Sequence, residues 1–172
     1  MIARRWLLAL ASVAAACTPA MNWRETPLER LSILLPCKPD RAQRTVHLAQ
    51  QEVSLSMAGC EAAGALFAIS HVRVAQGATA TTSDAWRVVT MANMRATVSV
   101  DVALNPRPSI TDPRNTVAMN RIATQGKRLD GTPVQAQLAW IVAGQDIYQI
   151  AVYADRLTPD MLDTLFSDIK IQ

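Results

Sequence analysis

The sequence holds no phosphate-cradling glycine loop, no dinucleotide-binding glycine fingerprint and no Gly-x-Ser-x-Gly elbow. Nucleotide chemistry and serine hydrolysis therefore have no motif to rest on. Ser56, Ser70 and Ser99 stand in no such setting, and Ser70 precedes His71 directly. Neighbours on a strand point to opposite faces, so that pair cannot act as nucleophile and base. The two histidines, His47 and His71, belong to no His-Glu-x-x-His, and there is no Cys-x-x-Cys. The usual signatures of catalytic zinc and of thiol redox centres are thus absent, and no metal, cofactor or catalytic residue is expected. Basic residues are scattered from Arg24 to Lys170 with no cluster among them, which leaves no electrostatic footprint for nucleic acid. No repeat, low-complexity tract or second domain is visible.

What is present begins at the N-terminus. Arg4 and Arg5 form a positive patch, followed by the uncharged stretch 6–16, which is 11 residues long. A membrane-spanning helix needs about 20. The pattern fits the positive and apolar regions of an export signal, ending in Ala14-Ala15-Ala16-Cys17. Small residues followed at once by cysteine resemble the lipobox of bacterial lipoproteins. The departure is Ala14, where Leu is usual. Residues 1–16 therefore read as a signal peptide and Cys17 as the lipid attachment site, with ordinary cleavage after Ala16 and a soluble secreted product as the alternative. Each buried methylene of an acyl chain contributes about 0.8 kcal/mol, so several chains would anchor the protein stably. Thr18 follows the cysteine where inner-membrane lipoproteins of enterobacteria carry Asp, which favours the periplasmic face of the outer membrane.

Removing residues 1–16 leaves 156 residues, enough for one domain with a core. It also takes away two arginines, so the net charge falls from +3 to +1. Cys37 and Cys60 remain. In an oxidising compartment an isolated pair reads as a disulfide, closing a loop of about 24 residues. A reactive thiol or a metal site with His47 and His71 is the alternative.

Residues 17–30 read as a lipid-attached tether in which Trp23 and Arg24 can touch headgroups or a partner; 31–172 read as a single domain. Its expected strands are 31–35, 44–48, 53–57, 66–74, 122–129, 134–143, 147–153 and 169–171. Val53, Leu55 and Met57 alternate with polar residues and face inward. The stretch 66–74 is apolar on both faces, as in a covered central strand. A helix is expected after the capping residues 81–84, running on Trp86, Val89, Ala92 and Ala96 and ending before residue 105; a second opens at Thr158 with Pro159 in its first turn. Residues 105–116, with three prolines, read as a loop. Trp86, Trp140 and His71 are expected in packing roles, and Met91, Met94 and Met119 as packing residues or a soft binding surface.

The fold class these elements imply is α+β: a single domain, mainly antiparallel β-sheet packed against two or more helices. The opening Ile33-Leu34-Leu35-Pro36-Cys37-Lys38-Pro39 and the closing Tyr148-Gln149-Ile150-Ala151-Val152 with Leu165-Phe166-Ser167-Asp168-Ile169 resemble the Mog1/PsbP-like fold over roughly residues 30–172. The segments around Cys37 and Cys60 also look like small Gram-negative envelope lipoproteins, DcrB-like proteins among them. The resemblance implies a binding module. The functional expectation is a membrane-anchored, non-enzymatic envelope protein with another envelope protein as partner. A small-ligand carrier with a pocket between sheet and helix, and a hydrolase or thiol enzyme with an unrecognised site, are the alternatives.

Overall fold

The structure, a computed structural model, describes residues 21–103, 108–110 and 117–172. Cys17 and residues 1–16, expected to be a signal peptide, lie outside the described residues. The chain adopts an α+β fold built from two sheets and two helices. The first sheet runs β1 (Arg24–Leu28), β2 (Leu31–Leu35), β11 (Lys170–Ile171) and β7 (Ser109–Ile110). The second runs β3 (Asp40–Leu48), β4 (Gln51–Ala62), β5 (Ala65–Arg73), β10 (Asp146–Ala154), β9 (Pro133–Ala143), β8 (Val117–Lys127) and β6 (Val98–Asp101). Every pairing is antiparallel except β11 with β7. Helix α1 (Thr79–Asn93) follows β5, and α2 (Pro159–Ser167) follows β10. Neither helix is long and apolar enough to cross a membrane.

Strand alternation sorts the side chains of the large sheet into two cores. Phe67, Ile69, Tyr148, Ile150, Val152 and Ile141 face one way and bury against Leu31, Ile33 and Leu35 of the small sheet and Leu165 and Phe166 of α2. Val72, Ile147, Leu138, Trp140 and Ile122 face the other way, beneath Trp86 and Met94. Strand β10 is covered on both faces, which is why its sequence is almost continuously apolar.

Several boundaries differ from the sequence reading. The tether 17–30 runs into the fold: Arg24–Leu28 is a strand, with Thr26 and Leu28 buried, because the apolar strand β2 supplies a partner along its whole length. The first helix stops at Asn93, and the β-branched run beyond it pairs with β8 as strand β6. The helix also starts earlier, and its buried stripe is Thr82, Trp86 and Thr90 rather than one through Val89, which is exposed. Of the expected loop 105–116, residues 109 and 110 form β7, and 104–107 and 111–116 lie outside the described residues.

Candidate binding groove

Helix α1 covers only part of its face of the large sheet. It lies over β9 and β10 and meets the β3–β4 hairpin near one end of the sheet. Between the helix and that hairpin, which rises beside it, runs an open groove of about 1320 Å³. Typical small-molecule sites occupy roughly 300–1,000 Å³. One wall is Val46, Leu48, Leu55 and Met57; the other is Trp86, Val89, Thr90 and Met94. Ser70, Gln149, Tyr153 and Val134 line it from β5, β10 and β9. The β4–β5 turn with Leu66, and the segment Lys127 to Asp130, form the mouth.

Local sequence explains why the walls hold. The Gln149 side-chain amide donates to Thr90 Oγ1 at 2.9 Å, a buried bond that pins the helix to the middle of the sheet. At the helix end the Lys127 amide donates to the Met94 carbonyl at 2.7 Å. Gly126 permits that approach, since a Cβ there would run into the Met94 carbonyl. Leu55 and Met57 face inward as the alternation implied, but they end half-buried on the groove wall instead of under the helix. The Met94 side chain is buried, as expected of a packing residue, and it also lines the groove.

Burial pushes the Tyr153 hydroxyl up to about 12. Tyr148, on the opposite face, is also pushed up to about 12, first by burial and then by the nearby Asp146 carboxylate. These are the chain's two tyrosines. A raised folded-state value favours the protonated phenol in the fold, so the stabilisation is complete below pH 10 and is lost as pH climbs from 10 towards 12. Absorbance at 295 nm should therefore show almost no phenolate in the folded protein at pH 10.5, with both tyrosines ionising together when the alkaline transition unfolds it. Half-titration of either one near pH 10 in the folded state would contradict the burial described above.

A second cluster of polar side chains sits at the other end of the sheet. His71 Nε2 donates to Asp146 Oδ1 at 2.9 Å, and both residues are buried. Arg73 and Arg30 reach the same carboxylate at 3.6 and 3.8 Å. The His71 ring lies 4.8 Å from that of Tyr148, and the Tyr148 hydroxyl accepts from the Arg30 amide at 3.2 Å. This cluster joins the β1–β2 turn, β5 and β10. Ser70 points away from it into the groove, as strand geometry requires.

The other expected residues are placed as follows. Cys37 and Cys60 form a disulfide, with Cα atoms 6.0 Å apart; this fits export to an oxidising compartment. Trp23 packs edge-on to Phe67, with ring centroids 5.9 Å apart, and is half-buried against the core. Arg24 is exposed beside it, its Nε reaching the Asn22 carbonyl at 3.4 Å. His47 is exposed at the groove rim, while His71 is bound to Asp146. Among the described residues no three His, Cys, Asp or Glu side chains converge as a metal site. Trp86 and Trp140 pack in the core beneath α1. No protein-family model matches the chain, and no curated protein matches it.

Proposed function

We propose that the chain is an exported, membrane-anchored envelope protein that works as a non-enzymatic binding module, with the groove beside α1 as its ligand site. The observation that carries this reading is the groove itself: large, open, lined chiefly by apolar side chains, and offering a few fixed polar groups at Ser70, Gln149 and Thr90. Convergence of that kind is the ordinary form of a ligand site. The signal-like residues 1–16, the lipobox-like Ala14-Ala15-Ala16-Cys17 and the disulfide support the envelope location. The likeness to the Mog1/PsbP-like fold, whose members are mostly binding proteins, supports the absence of chemistry. Thr18 favours the periplasmic face of the outer membrane.

Fractionation of cells producing the full chain tests the location. The expected result is recovery with membranes, release by detergent but not by high salt, and an N-terminal peptide starting at acylated Cys17. A cytoplasmic protein that keeps Met1 would overturn the proposal.

A further inference from the structure

The groove's mouth and the point where the chain enters the fold lie at the same end of the large sheet. The Asn22 amide donates to the Pro36 carbonyl at 2.7 Å, and Trp23 rests on Phe67. Phe67 pairs with Cys60, and two steps further along, Ala62 pairs with Ala65 across the β4–β5 turn. That turn, with Glu61 and Leu66 beside it, is the rim of the groove. Only three residues separate Cys17 from Met21. Four steps of extended chain span at most about 14 Å. Met21 and Trp23 pack on the face of the large sheet opposite the groove, so an acylated Cys17 brings the β4–β5 turn, the rim that both faces share, close to the bilayer surface.

We infer that the groove takes an acyl chain of a phospholipid drawn from the membrane to which the protein is anchored. The inference rests on the anchored-module reading and names the ligand of that same site. The lining supplies the chemistry. Leu55, Met57, Leu66, Trp86 and Val89 present apolar surface along the walls and mouth, and methionine adapts to a flexible chain. An extended peptide fits less well. Its amides and carbonyls could pair only along the free edge of β3, because β5 and β10 beneath the apolar groove are already paired on both sides. An acyl chain brings no such groups.

The mouth does not select a headgroup by charge. Lys127 and Arg128 stand there with Glu61 and Asp130. Arg128 is bound to Asp155 at 2.7 Å, and Asp130 accepts from the amide and hydroxyl of Thr132. With both signs present and two of the four groups engaged, the chain, not the headgroup, is what the site recognises.

The test uses the full mature chain in vesicles of phosphatidylethanolamine and phosphatidylglycerol containing a trace of phosphatidylcholine with a diazirine at the end of one acyl chain. After irradiation, the modified residues are mapped by peptide mass. Adducts on groove residues such as Met57, Leu66 and Trp86 are the expected result. Val89→Glu places a charge on the exposed helix wall and should cut those adducts about tenfold, with the melting temperature unchanged. Mapping on the unmodified protein decides the matter even if that variant folds poorly. Adducts confined to residues 17–23, or spread over the outer surface, overturn the lipid inference while an acylated Cys17 peptide leaves the anchored reading standing. An unacylated Cys17 overturns both.

Discussion

Replacing Asp146 with Ala should lower unfolding free energy by about 1–3 kcal/mol, the range for leaving a buried hydrogen-bond donor without its acceptor. Asp146 is 2% exposed, and His71 is 6% exposed. Two arginines also reach the carboxylate, but their side chains are 38% and 65% exposed. Pairs with one solvent-exposed cation are worth about 0–1 kcal/mol each, so the loss comes chiefly from the His71 side. There the Nε2–H at 2.9 Å would be left in the protein interior with no acceptor. Asp146→Asn keeps an oxygen in that position and should cost less than the alanine variant. Urea titrations of the three proteins check the ordering, with a lower midpoint and unchanged slope for each variant. A loss below about 1 kcal/mol for Asp146→Ala would mean that the cluster is held by the arginines at the surface and not by the buried pair.

The consequence extends beyond His71. Asp146 opens β10 beside the turn at residues 144–145, and β10 contributes Gln149 and Tyr153 to the groove. Arg30, one of its partners, also donates through Nε to the Gln172 carbonyl at 2.6 Å and through its amide to the Tyr148 hydroxyl. One carboxylate thus ties the β1–β2 turn, the end of the chain and the central strand together. Loosening it is expected to weaken the small sheet before the helix side of the domain.

The central strands were legible in the sequence because their apolar content follows directly from burial. The continuous run in β10 and the Asp130-Gly131 and Gly144-Gln145 turns state a meander outright, and Gly131 and Gly144 have the positive φ values that such turns need. Strand β1 was not legible. Its inward positions are Thr26 and Leu28, only one of them apolar, and Pro27 lies between them. The turn that follows places Glu29, a residue with no preference for it, at φ 53°. The β3–β4 turn hides in the same way, with Ala49 and Gln50 both at positive φ. Helix α1 was read from Val89, but packing chose Thr82 and Thr90, whose hydroxyls are too weak a signal for a hydrophobic pattern. The groove was invisible for a different reason. Its residues come from 46–66, 70, 86–94, 127–134 and 149–153, each ordinary in its own segment, and only the partial coverage by α1 makes them a site. A pocket between sheet and helix was conceivable from the element order; which residues line it was not.

The Cys37–Cys60 bond should give the second large effect, and two double variants separate its causes. Cys37 follows β2 in the small sheet and Cys60 belongs to β4 in the large one, so the bond clamps one sheet to the other at the end where the chain enters. The sequence separation is 23 residues, for which the chain-entropy account gives roughly 3 kcal/mol. In a domain of this size about 1 kcal/mol corresponds to some 2–4 °C, so Cys37→Ala/Cys60→Ala should melt roughly 6–12 °C lower. Cys60 is 9% exposed and Cys37 packs against the same core. Cys37→Ser/Cys60→Ser therefore also places hydroxyls at the core, each costing about 1–3 kcal/mol if left unpaired. The serine pair should melt lower than the alanine pair by a margin calorimetry resolves. In the folded parent, no thiol from these two residues should titrate before reduction. Equal melting of parent and alanine pair would show that packing such as Trp23 against Phe67 holds the two sheets together at this end without the bond. A large fall, by contrast, makes the rim of the groove sensitive to reduction, because the β4 segment that carries Cys60 runs directly into the turn at its mouth.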